Sequence, residues 1–164
     1  MFPRSLTRAI HTTARRAAAD SGAAATATKV TLNLNTPFQS FFKNAQVDLV
    51  QLPGFDGEYG VTAGHTPIIS QLKPGVIKVH VQRETEVQSF FTAGGFALTH
   101  ANSVTDIACV EVVKLEDVDA SAAEAGLNKF KAALASAAEG TPEKIEAQIG
   151  YEVHQALVAA LQSN

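Results

Sequence analysis

The chain has 164 residues, a net charge of −3 at neutral pH, 46% apolar and 18% charged residues, and a single cysteine. That length allows one cored domain plus an appendage, and no run approaches the ~18 uninterrupted apolar residues of a membrane span. Cys109 alone excludes an internal disulfide and suits a reducing compartment.

Charge is unevenly placed. Arg4, Arg8, Arg15 and Arg16 against Asp20 give residues 1–28 a net +3, which leaves −6 on the rest of a chain whose total is −3. An acidic body lacks the basic footprint that displaces counterions from phosphate, so nucleic-acid binding is not expected. In the N-terminal segment Phe2, Leu6 and Ile10 recur every four residues opposite Arg4, Arg8, His11 and Arg15. An amphipathic, arginine-bearing, acid-poor leader without a continuous apolar centre reads as a mitochondrial transit peptide, with the alanine-rich stretch after it as linker.

From Lys29 the period becomes two: Val30, Leu32 and Leu34 alternate with Thr31, Asn33 and Asn35. Half-buried strands have that pattern. Val47–Leu52, Val76–Gln82, Val87–Thr92, Phe96–Thr99 and Val104–Leu115 read as further strands separated by turn residues. Short strands at close spacing imply an antiparallel β-sandwich or barrel rather than βαβ units. Cys109, flanked by Ile107, Ala108 and Val110, is placed in its core.

The period then lengthens to 3.6. Asp119 or Ser121 can cap a helix whose apolar face is Ala123, Leu127, Phe130, Leu134 and Ala137. Gly140 ends it, and Thr141-Pro142-Glu143 opens a second helix with a stripe of Ile145, Ile149, Val153, Ala156, Leu157 and Ala160. So short a turn makes the pair antiparallel. The expected organisation is residues 1–28 as leader and linker, 29–115 as β-sandwich and 116–164 as helical hairpin.

Known catalytic and cofactor patterns are not met. Asp56, Glu58 and His65 share one glycine-rich loop but have no accompanying nucleophile, and a catalytic site needs mutual geometry. His11, His65, His80, His100 and His154 are scattered, without a C-x-x-C element. Gly94-Gly95 lacks the Gly-Lys-Ser/Thr of a phosphate loop. No enzyme activity, cofactor or metal is therefore expected.

The stretch Pro53–Val76 carries the most specific signal. Gly57-Glu58-Tyr59-Gly60-Val61, Gly64-His65-Thr66-Pro67 and Leu72-Lys73-Pro74-Gly75-Val76, followed by Ala93-Gly94-Gly95-Phe96, resemble the small central-stalk subunit of F-type ATP synthases, called epsilon in bacteria and chloroplasts and delta in mitochondria. The similarity runs from Val30 to the C-terminus, with Ala63 where the family commonly has proline. It implies a flattened β-sandwich and helical hairpin, and a non-catalytic rotor role in the central stalk, transmitting rotation during proton-driven ATP synthesis; the amphipathic leader selects the mitochondrial version, on the matrix side of the inner membrane. The implied partners are the gamma subunit, the c-ring and a small companion subunit, called epsilon in mitochondria, docking on the hairpin. By position in the motif, Asp56, Glu58, Tyr59, Val61 and His65 would face the ring, while Ile69, Ser70 and Leu72 would face the shaft. For Tyr59 and Val61 the alternative is that they hold the loop's shape. The hairpin offers only Lys129, Lys131 and Lys144, so useful ATP binding is not expected. A free-standing β-sandwich ligand module, or an enzyme accessory domain, is the other reading; it would require a concave pocket with convergent polar groups.

Overall fold

The computed structural model describes residues 28–163. The transit-peptide reading falls, apart from Thr28, outside the described residues. Ten strands make one hydrogen-bonded sheet, nine of them along a continuous path. They are β1 (Val30–Asn35), β2 (Ser40–Val47), β3 (Leu49–Gly54), β4 (Gly57–Val61), β5 (Ile68–Leu72), β6 (Gly75–Gln82), β7 (Glu86–Thr92), β8 (Gly95–Thr99), β9 (Val104–Cys109) and β10 (Val112–Lys114). Their order is β10-β7-β6-β3-β5-β8-β9-β1-β2, with β4 on β3. A 3₁₀ turn at Leu115–Asp117 leads into α1 (Ala120–Ser136) and α2 (Pro142–Gln162).

Pairing is antiparallel with one exception, β1 against β9, where Thr31 sits opposite Val104 and Asn35 opposite Ala108 in parallel register. Alternation alone cannot reveal this, because parallel and antiparallel partners bury the same residues. The inner faces supply an apolar core that includes Val30, Leu32, Leu34, Val50, Leu52, Ile77 and Ile107. Phe41 and Phe42 from β2 each meet the Phe90 ring edge-on at 5.6 Å, joining the two layers. Phe90 and Phe91 are consecutive in β7, so they face opposite ways. Phe91 therefore leaves this core and forms a second one with Leu115, Ala160, Val153 and Leu157, where α2 covers the outer face of β6, β7 and β10.

Asp119 caps α1: its Oδ1 accepts from Ser121 N–H at 2.8 Å and Ala122 N–H at 3.4 Å. Gly140 turns the chain at φ 77°, and Thr141 caps α2 ahead of Pro142. The helices approach through two glycines. A Cβ on Gly126 would strike the His154 ring and one on Gly150 would strike the Phe130 ring, while those two rings lie 5.0 Å apart. Ala147, Gly150 and His154 thus meet α1, and Val153, Leu157 and Ala160 meet the sandwich. Ile145 and Ile149, expected in the buried stripe, are exposed because these two neighbours use the sides of α2 on which they do not lie.

Candidate docking surfaces

The Pro53–Val76 stretch is two strands with turns at both ends, and its expected site residues divide accordingly. Asp56 lies in the β3–β4 turn, exposed beside Phe55, where Gly54 pairs with Gly57. Along β4, Glu58 and Gly60 point outward and Tyr59 and Val61 inward. Val61 is 1% exposed and belongs to the core, so it shapes the strand and cannot meet a partner as expected. Tyr59 is half-buried and packs against the same core. Glu58 shares a shallow groove with Gln51, Lys78 and Ala156, next to the end of α2. His65 follows the far end of β4, about 13 Å of strand beyond the Asp56 turn at ~3.3 Å per residue. The five residues expected on one ring-facing surface therefore lie at two ends and on two faces of the sandwich.

At the His65 end, the loop Thr62–Pro67 is fixed by the β8–β9 turn. Gly64, at φ 76°, donates its N–H to Ser103 Oγ at 2.9 Å. His65 Nδ1–H donates to the Thr66 carbonyl at 2.7 Å, and the imidazole stands 6.5 Å from the Tyr59 ring. Among the described residues no hydrogen bond or ion pair joins His65 to Asp56 or Glu58. Asp48 lies at this end too, accepting from Arg83 N–H at 3.0 Å with Lys29 Nζ at 3.4 Å. The Arg83 hydrogen bond first, then Lys29, holds its carboxyl below the ordinary value.

β5 obeys the same alternation. Ile69 and Gln71 point outward, whereas Leu72, at 3% exposure, is core; Leu72 is thus removed from the expected shaft-facing trio. Ser70 is half-buried. Ile69 is 75% exposed and shares the outer face with Phe96 of β8, 54% exposed, whose Cα partner is Gln71. α2 covers the outer face of β6 and β7 but leaves this half of the sheet open. Phe55, Phe96, Val110 and Ile149 line one groove of about 820 Å³ between sheet and helix, and Ile145 extends the apolar line a turn further along α2. Scattered apolar residues on a surface need no explanation, but a contiguous strip crossing from sheet to helix marks an interaction site.

Sequence reasoning did not single out Phe55, Phe96, Val110, Ile145 and Ile149 as a surface. A signal was available: consecutive apolar residues in a strand, such as Ile68-Ile69 and Phe96-Ala97, cannot both face the core. Among the described residues no three His, Cys, Asp or Glu side chains are grouped to hold a metal, and no helix is long and apolar enough to cross a membrane.

This geometry defines a class first: a β-sandwich with a docked helical hairpin, whose distinguishing surface is an open apolar strip. The comparisons narrow it. The family described as ATP synthase, delta/epsilon chain, β-sandwich domain matches residues 29–113, and the chain belongs to that family. The chain is 44% identical over 81% of its length to mitochondrial ATP synthase subunit delta' of Ipomoea batatas, and 42% identical over 82% to that of Pisum sativum. It spans 65% and 66% of those two relatives. Among solved structures, a chain of the Euglena gracilis mitochondrial ATP synthase (OSCP/F1/c-ring, rotational state 1) superposes with a TM-score of 0.75 at 30% identity, covering 82% of both chains.

Proposed function

We propose that this chain is the non-catalytic central-stalk subunit of a mitochondrial ATP synthase, turning with the rotor on the matrix side of the inner membrane and linking the gamma subunit to the c-ring. The observation that carries this reading is the apolar strip from Ile69 and Phe96 to Val110 and Ile149, which leaves both domains incompletely covered. Ile69 is its shaft-facing residue, with Ser70 at the margin. The strip's helical end, with Ile145 and Ile149, is the docking surface for the small companion subunit. His65 and the Thr62–Pro67 loop face the ring from the end away from the hairpin, while Glu58 and Asp56 contribute charge from the side. The role is mechanical: a packed core transmits strain, and no bond is made or broken by this chain. Mitochondrial relatives and a neighbour from an F1/c-ring assembly support the reading.

The test is native electrophoresis of detergent-solubilised mitochondria, with mass spectrometry following this chain. The expected result is co-migration with the whole ATP synthase and retention with ring and shaft after partial dissociation. Migration alone or with unrelated proteins would overturn the proposal.

A further inference from the structure

The outer face that carries the apolar strip continues past it. Cross-strand partners share a face of the sheet, and the register pairs Ile69 with Leu98, Leu98 with Asp106 and Asp106 with Asn33 across β5, β8, β9 and β1. Ile69 and Asp106 therefore stand in one row, two strands or about 9–10 Å apart. Their chain neighbours Ala97, Thr105, Ile107 and Leu34 are buried, which leaves the row itself on the outside. Asp106 is its one charged member, and its carboxylate is held at both oxygens. Oδ1 accepts from Asn33 Nδ2–H at 2.7 Å and Oδ2 from His100 Nε2–H at 2.8 Å, while Asn33 Oδ1 accepts from Asn44 N–H at 2.7 Å. With Nε2 carrying the ring proton, Nδ1 of a neutral His100 can only accept. Among the described residues no lysine or arginine pairs with Asp106, and 44% of its side chain is exposed. A carboxylate has about four acceptor positions, so roughly half of them stay open with the charge unbalanced.

We propose that Asp106, positioned by Asn33 and His100, is a specificity-determining contact of the shaft-facing surface, and that the partner covering Ile69 sets a lysine or arginine side chain against it. Continuity and charge identify the occupant. A body seated on Ile69 and Phe96 reaches Asp106 in the same row, and the open acceptors of Asp106 and His100 fit only a donor. The inference rests on the reading of Ile69 as shaft-facing. An apolar strip by itself accepts many surfaces, whereas a fixed carboxylate beside it admits a partner with a cation at the matching place and rejects one with an anion there.

The test measures the concentration of tagged full chain that recovers half of the gamma subunit from solubilised mitochondria depleted of the native chain, at pH 8, above the ordinary histidine range. Asp106→Asn, Asp106→Glu and Ile69→Ser are compared with the unsubstituted chain at about 50 and about 500 mM salt, each with its melting temperature. Asp106→Asn is expected to raise that concentration about 10- to 100-fold, as loss of a hydrogen-bonded charge from a covered contact does, and to flatten its salt dependence. Asp106→Glu keeps the charge and is expected to keep the salt dependence. Full recovery by Asp106→Asn while Ile69→Ser is weakened overturns this inference and leaves the shaft-facing reading standing; full recovery by both overturns the two together. Recovery by the unsubstituted chain that does not weaken with salt also overturns the inference, and that arm needs no variant to fold.

Discussion

Replacing Ile69 and Phe96 together by serine separates a docking surface from a core. Burying an aliphatic or aromatic side chain completely stabilises by about 1.5–3 kcal/mol. The free fractions are 75% and 54%, so a partner covering both residues gains about 2–4 kcal/mol from them. At ~1.4 kcal/mol per decade that is a weakening on the order of 10²-fold when they are removed. Free-chain stability is expected to fall by only about 1–2 kcal/mol, from the smaller fractions of Ile69 and Phe96 that the fold itself buries. The assay is paired: thermal unfolding of the purified variant, and recovery of gamma subunit by the tagged variant from solubilised mitochondria. A modestly lowered melting temperature with gamma recovery strongly reduced is the expected outcome. Normal recovery of gamma would refute the argument that this strip is the shaft-facing surface, and a large fall in stability would refute its exposure in the free chain.

Leu72→Ala is expected to behave oppositely, costing about 2–5 kcal/mol in chemical denaturation as a buried leucine does, because Leu72 lies in the core and not at an interface. Gly126→Ala is expected to lower the melting temperature of the hairpin by circular dichroism despite alanine's better helix propensity, since the added methyl strikes the His154 ring. Asp48 has a lowered carboxyl pKa in the fold, so its stabilising contribution is present above the unfolded value near 3.9 and is lost as pH falls through the lower folded value. Acid titration of Asp48→Asn is expected to show a deficit at neutral pH that closes in that acid window. The buried Cys109 thiol, pushed up by burial, is expected to resist alkylation at pH 8 in the native chain and to react rapidly once the chain is unfolded.

The architecture was legible because sandwich and hairpin announce themselves by different periods, and because Thr141-Pro142 and Gly140 have little use except at helix ends. The site was less so. Motif position assigned a run of neighbouring residues to one surface, but β4 and β5 distribute neighbours to opposite faces, which sends Val61 and Leu72 inward and leaves Glu58 and Ile69 outside. Ile145 and Ile149 show the converse difficulty. A helix with apolar residues on three sides does not state which of them lacks a neighbour, and the answer depends on where α1 and β6 come to rest. The parallel β1–β9 ladder was equally hidden, since pairing partners 70 or more residues apart leave no local trace.

That ladder bears on how the molecule is made. β1 is the first strand of the domain, and both hydrogen-bonded edges of it are occupied in the finished sheet, one by β2 nearby and the other by β9, which ends at Cys109. A chain emerging N-terminus first from a ribosome or a translocation channel can build the β1–β2 hairpin early. The remaining edge stays open until about seventy more residues have followed. Closing so long a loop comes late and slowly, so the half-delivered domain presents an unpaired, Val- and Leu-bearing strand to its surroundings throughout that interval. Unpaired edges of this kind invite aggregation, which makes delivery of this chain a more hazardous step than its stable, closed sandwich would suggest.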